Sequence, residues 1–260
     1  MENGILQEGK VLVFGHRGFS DAAPENTMAS FTMCRDLGIP GVELDVHICA
    51  SGEIVVAHDF LLKRTTGEDG TIEQWNLHDL KKLDFGAFKG DRFRDQRIPL
   101  LDEVFEEFGS DFIYDIEIKS QSKLGGPELV RKTWNIIRSH RLEGSVTASS
   151  FNPFSLRIFN RECRRSVPTA DIYAVDQAVP KPLQHGFGRH ISHSSYLKPE
   201  LSQVDQAFMD RYHSKLGYPI VTWTVNTEQQ ARRLIALGVN GLVGNDPQML
   251  MRCVNQEKAK

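Results

Sequence analysis

Val11-Leu12-Val13-Phe14-Gly15-His16-Arg17-Gly18 is the stretch from which the rest of the chain can be read. Its four leading apolar residues have the length and composition of a short buried strand, and the two glycines end it. A titratable imidazole and a permanent cation therefore stand at the carboxyl end of a strand. In α/β folds that edge is where chemistry is done. Shortly after, Pro24-Glu25-Asn26-Thr27 opens an amphipathic pattern that predicts a helix over 25–37.

The same rhythm recurs outward from there. β-rich runs fall at 11–14, 41–48, 54–58, 112–119, 146–151, 170–175, 190–196, 220–226 and 241–244. Helical patterns fall at 25–37, 99–108, 128–140, 153–163, 202–213, 227–237 and 247–254. Such alternation predicts parallel strands joined by helical crossovers. With 54–58 taken as an extension of the second strand, eight strands remain. That predicts an α/β fold of the (β/α)8 TIM-barrel kind, one domain over residues 1–260. No glycine-rich dinucleotide or P-loop fingerprint follows any run, which disfavours an open nucleotide-binding sheet.

Residues 60–98 break the rhythm. They are polar, turn at Gly67, Gly70, Gly86 and Gly90, and hold a short helical pattern at 77–83. This is too long for an ordinary βα loop, so it reads as a small insertion after the second strand, lying over the carboxyl face.

The bulk numbers narrow the function. The chain has 260 residues, 40% hydrophobic and 25% charged, enough for a full core. A net charge of −3 speaks against a nucleic-acid partner. No block of like charge marks a membrane surface, and no apolar run nears the roughly 18 residues of a transmembrane segment. Residues 1–10 lack a basic region followed by an apolar core, so no signal peptide is expected. Cys34, Cys49, Cys163 and Cys253 show no paired spacing. They read as reduced structural thiols, and a cytoplasmic location is expected. The oligomeric state has no signature in the sequence.

Charges appear where a barrel strand should be apolar. Strand side chains alternate between faces. If Val42, Leu44 and Val46 face the helices, then Glu43, Asp45 and His47 face the interior. In 114–119 the same parity turns Asp115, Glu117 and Lys119 inward. An ionised carboxylate there is costly unless it is paired or bound to a metal. Glu43, Asp45 and Glu117 offer three hard oxygen ligands, suited to one divalent ion, Mg²⁺ or Ca²⁺, rather than zinc. Arg17 and Lys119 add positive charge, and a cluster of both signs fits a phosphoryl group. One such pair alone is more often a buried ion pair. Two strands of equal parity, with His16 and His58 at strand ends, reverse that balance. Paired histidines suit acid–base work near neutral pH. His47 reads as a packing or rim residue. Trp223 ends a late strand and fits either the core or a pocket wall. Ser149 and Ser150 lack the surroundings of a nucleophile elbow.

These residues fall in an order that resembles the glycerophosphodiester phosphodiesterases, in the phosphoinositide phospholipase C-like phosphodiesterase superfamily. His16-Arg17-Gly18 with Pro24-Glu25-Asn26-Thr27 matches the family's opening, and Glu43-Leu44-Asp45-Val46 through Val55-Val56 and His58-Asp59 its second motif. Glu117-Ile118-Lys119, Trp223-Thr224-Val225-Asn226 and the closing run from Gly238 to Pro247 complete it. The resemblance implies a barrel with a small insertion after the second strand. It implies a divalent metal on Glu43, Asp45 and Glu117, and His16 and His58 as the acid–base pair. It implies a phosphate held by Arg17 and Lys119, with Trp223 against the substrate, while Glu25 and Asn26 brace the first βα loop. The expected reaction hydrolyses a small-molecule glycerophosphodiester to glycerol 3-phosphate and an alcohol. The rivals are a lysophospholipase D-like phosphodiesterase, with Phe85, Phe88 and Phe93 at an apolar mouth, and a non-catalytic binder. A binder would be expected to have lost one of these groups, and all are present.

Overall fold

The computed structural model describes residues 4–258. Residues 1–3 and 259–260, the ends of the predicted domain and the start of the segment read for a signal peptide, lie outside the described residues. The strands are β1 (Leu12–His16), β2 (Gly41–Ile48), β3 (Ile54–Val56), β4 (Ile113–Ile118), β5 (Val146–Ser150), β6 (Thr169–Tyr173), β7 (Tyr196–Pro199), β8 (Val221–Thr222) and β9 (Gly241–Gly244). All but β3 run parallel, in the order β7-β6-β5-β4-β2-β1-β9-β8. Parallel bridges Leu197–Ile220 and Glu200–Trp223 join β7 to β8. The ring is thus a nearly closed (β/α)8 TIM barrel of eight parallel strands among the described residues, as the alternation predicts.

The helices are α1 (Met28–Asp36), α2 (Lys63–Thr66), α3 (Leu77–Leu80), α4 (Leu101–Phe108), α5 (Pro127–Ser139), α6 (Pro153–Glu162), α7 (Arg189–Ser192), α8 (Gln206–Phe208), α9 (Glu228–Ala236) and α10 (Pro247–Lys258). None among the described residues is long and apolar enough to cross a membrane.

Strand parity sorts the interior into two regions. Val13, Val42, Leu44, Ile116 and Leu242 point outward into the core shared with the helices. Phe14, Ala170, Tyr196, Val221 and Val243 point inward and fill the barrel. Above that apolar plug, on the carboxyl side, the inward positions become charged.

Three local readings change. The run at 54–58 is not an extension of the second strand. β3 turns back antiparallel on the end of β2, pairing Val46 with Val56 and Ile48 with Ile54. This hairpin returns the chain to the rim, where Ala57 N–H donates to Asp45 O at 3.0 Å. The first helix starts at Met28 rather than residue 25. Thr27 Oγ1 caps it by accepting from Ser30 N at 3.4 Å, and Asn26 takes a φ of 56°. Glu25 and Asn26 are thereby freed to reach the barrel mouth. The seventh strand is Tyr196–Pro199, not 190–196, and α7 occupies the predicted start. A lysine followed by proline reads as loop, but Lys198 lies inside the barrel, where acidic groups pair with it.

The insertion has its own small core. Val55, Ala57, Leu62, Ile72, Leu80, Phe85 and Ile98 cluster beside the mouth. Phe85 is part of that core and Phe88 is exposed.

Candidate active site

The site is assembled by register. Across β1 and β2, His16 pairs with Glu43. Across β2 and β4, Glu43 pairs with Asp115 and Asp45 with Glu117. Paired residues in a parallel sheet share a face, so these side chains all enter the barrel. Together they shape a cleft of about 140 Å³ at the carboxyl ends of the strands. His16, Arg17, Glu43, His58, Glu117 and Lys119 line it, and Phe151 and Trp223 form an aromatic wall. The rings of that wall meet edge to face, 5.6 Å between centroids. Asp45 is fully buried beneath the cleft. The structure thus brings all eight sequence-predicted site residues together.

Glu43, Asp45 and Glu117 each offer an oxygen, and these oxygens lie within 4.8 Å of one another. Asp45 Oδ2 accepts from Asn26 Nδ2 at 2.7 Å, whereas Asp45 Oδ1 is buried and accepts no hydrogen bond. Three buried carboxylates with oxygens this close, one of them met only by the Lys119 ammonium, fit a hard cation. Burial and the neighbouring Asp45 raise the pKa of Glu43. Burial would raise Asp45 as well, but Lys119, His58 and Arg17 outweigh it and hold the pKa low. Lys119 Nζ lies 3.0 Å from Asp45 Oδ1 and 2.5 Å from Glu117 Oε1. Burial lowers the pKa of Lys119, but Asp45 and Glu117 more than reverse it.

Arg17 has a left-handed backbone, φ 56°. That conformation is uncommon outside glycine, and it aims the Arg17 N–H at Glu43 Oε2, 3.0 Å away. Gly18 follows with φ 81°, and a Cβ there would collide with Ser30. The Arg17 guanidinium donates to Glu25 Oε1 at 2.8 Å and lies 3.6 Å from Asp45 Oδ2.

The two imidazoles have different partners. His16 Nδ1 lies 2.6 Å from the amide oxygen of Asn245. Burial, and then Arg17, push its pKa down to about 3, so it is neutral near pH 7. His58 Nδ1 donates to the Asp59 carboxylate at 2.7 Å. Arg64 of α2 donates to Asp59 at 2.5 Å and to both oxygens of Glu25 at 2.8 and 2.6 Å. A chain Arg17–Glu25–Arg64–Asp59–His58 therefore spans the mouth and ties the insertion to the first loop. His47 packs as expected, its Nε2 3.2 Å from His58 O and its ring edge-on to Phe60. Ser149 and Ser150 hold Asp115 and Ile118 O and attack nothing.

Sequence reasoning missed Lys198, Phe151 and Asn245. Lys198 Nζ lies 2.7 Å from Asp115 Oδ2 and 3.9 Å from Glu43 Oε1, and donates to Ser149 Oγ at 3.2 Å. Alternation in Tyr196-Leu197-Lys198 was the signal available for it. Nothing local marks Asn245.

Comparisons with known proteins agree with this geometry. The model of the glycerophosphoryl diester phosphodiesterase family matches residues 16–249. A glycerophosphodiester phosphodiesterase of Caldanaerobacter subterraneus subsp. tengcongensis is 35% identical over 253 residues, spanning 95% of this chain and 99% of that one. A phosphodiesterase of Oleispira antarctica, solved in complex with the product sn-glycerol-3-phosphate, is 28% identical. It superposes with a TM-score of 0.83 over 94% of this chain and 96% of that one. A solved chain from Silicibacter pomeroyi, 23% identical, shares the fold with a TM-score of 0.84, over 96% of this chain and 94% of that one. With the family match running from the first histidine to the last helix, the chain belongs to the glycerophosphoryl diester phosphodiesterase family.

Proposed function

We propose that the chain hydrolyses small glycerophosphodiesters to glycerol 3-phosphate and an alcohol. It does so as one barrel domain over residues 1–260, with about 60–98 as its insertion. The observation that carries this is the cleft where two imidazoles, three cationic side chains and a carboxylate cluster converge. Family membership and the product-bound relative support it. The buried, unpaired cysteines suit work in the cytoplasm.

Glu43, Asp45 and Glu117 would hold one divalent cation, Mg²⁺ or Ca²⁺. When bound, it supplies positive charge to the phosphoryl oxygens. Arg17 and Lys119 bind the same oxygens from the protein side. Trp223, with Phe151, packs against the carbon skeleton of the substrate and keeps water off it. His16 is the base: it is neutral, and no carboxylate backs it. His58 is the acid: the Asp59 carboxylate accepts from its Nδ1 and orients the ring, and His58 protonates the leaving alkoxide. The nucleophile is the substrate's own glycerol 2-hydroxyl, because a tethered group gains a large effective molarity. His16 takes its proton as the oxygen bonds to phosphorus, and the alcohol leaves with the proton of His58. The histidines then exchange roles as water opens the cyclic phosphate at the 2-oxygen.

The test is release of glycerol 3-phosphate from glycerophosphocholine, glycerophosphoethanolamine and glycerophosphoglycerol, before and after chelation. Turnover that is lost on chelation and restored by Mg²⁺ or Ca²⁺ is expected. Full turnover by metal-free protein overturns the cation site. No glycerol 3-phosphate from any of the three overturns the reaction.

A further inference from the structure

β9 closes the barrel against β1, pairing Val243 with Phe14 and Gly244 with Gly15. One residue beyond those pairs, Asn245 stands beside His16. Its amide oxygen is 2.6 Å from His16 Nδ1, and it accepts a second hydrogen bond from Ser20 Oγ at 3.2 Å. The backbone of Asn245 is fixed on both sides: its N–H donates to Asn226 Oδ1 at 3.2 Å, and its carbonyl accepts from Asp21 N at 3.0 Å.

We infer that Asn245 is a positioning residue that locks His16 into the tautomer with the proton on Nδ1 and the lone pair on Nε2. The physical reason is that an amide oxygen accepts and never donates, so the nitrogen it faces carries the proton. The other nitrogen, Nε2, is then left unprotonated. This sets the direction of the first proton transfer. A histidine so held takes a proton and has none to give through Nε2. A carboxylate in place of Asn245 would also accept from Nδ1, but it would favour a charged His16. A neutral amide fixes the tautomer without adding a negative charge beside Glu43 and Asp45. The inference rests on the reading of His16 as the base. Its primary readout, however, is the ring itself and needs no turnover.

The experiment is ¹H–¹⁵N correlation of the imidazole rings in the full chain at neutral pH, with His16 assigned by its loss in His16→Gln. The expected wild-type signature is a protonated Nδ1 and an unprotonated Nε2. In Asn245→Leu, which keeps the bulk but not the acceptor, the signature should change to a mixture or to the Nε2–H form. In that variant kcat should fall at least about tenfold, a fraction of the roughly 100-fold or more that general acid–base catalysis supplies, with KM nearly unchanged. Asn245→Asp, which keeps an acceptor, should keep Nδ1 protonated but not restore kcat, because its negative charge favours a charged His16. An Nε2–H tautomer in the wild type overturns the inference even if every variant misfolds. So does an Asn245→Leu protein that keeps the Nδ1–H form, or that loses it with kcat intact. If the wild-type and variant spectra behave as stated while glycerophosphodiesters are not turned over, the reaction has failed and the lock has not.

Discussion

Replacing Lys198 with methionine keeps most of the side-chain volume and removes one charge from the floor of the barrel. Lys198 is 2% exposed and Asp115 is fully buried. Their 2.7 Å ion pair is reinforced by the Ser149 hydroxyl, which takes one hydrogen bond from the lysine and gives one to Asp115 Oδ1 at 2.9 Å. Burial alone would lower the pKa of Lys198, but Asp115 and then Glu43 reverse the shift, so the ammonium is retained. With the lysine gone, Asp115 is a buried carboxylate with no cation near it. Breaking a buried pair by removing one partner costs about 3–5 kcal/mol. Total stability is roughly 5–15 kcal/mol, so the variant should fold but only marginally. At about 2–4 °C per kcal/mol for a chain of this size, the melting midpoint should fall by roughly 10 °C. Urea unfolding of wild type, Lys198→Met, Asp115→Asn and the double variant measures the coupling. The double variant should be more stable than Lys198→Met alone, because a neutral amide needs no counter-charge. A loss below about 1 kcal/mol, the range of exposed pairs, or strict additivity in the double variant refutes the reasoning.

Replacing His16 or His58 by alanine should each lower kcat at least about 100-fold, and near-normal turnover by His58→Ala would show that the pair is misassigned. An analogue with the glycerol 2-hydroxyl replaced by hydrogen should bind as a competitive inhibitor and turn over very slowly; rapid hydrolysis means that water attacks phosphorus directly. Away from the cleft, burial raises the Asp171 pKa from 3.8 to about 7. The folded state then binds the extra proton, so this contribution to stability is full below about pH 4 and is lost as pH rises to about 7. Stability of Asp171→Asn measured between those limits should fall less steeply with pH than wild type, and an unchanged slope would contradict the shift.

The barrel and most of the cleft were legible because two strands carry charges at alternate positions among apolar neighbours. Glu43, Asp45 and Glu117 stand out against Val42, Leu44 and Ile116, and the period of two states which side each set faces. The seventh strand was misplaced for the converse reason. Its four residues include a lysine and a proline, and the ion pair that makes Lys198 acceptable inside comes from strands far away in sequence. Asn245 was invisible because its partner lies 229 positions earlier, and only closure of the ring joins them. The start of α1 was set by Thr27 as a cap and by the left-handed Asn26, a choice that helical periodicity alone does not record.

The hairpin of β2 and β3 carries Asp45 and His58 on one continuous local unit, linked through Ala57 N–H and His47 Nε2 before residue 60 is reached. The spacing between a carboxylate of the cluster and the second imidazole is therefore a property of a few neighbouring residues. The segment that follows can be lengthened, shortened or exchanged between relatives without disturbing that spacing, provided that Arg64 keeps its grip on Glu25 and Asp59. Grafting the 60–98 segment of a relative that keeps the arginine at position 64 should leave cation affinity where it was.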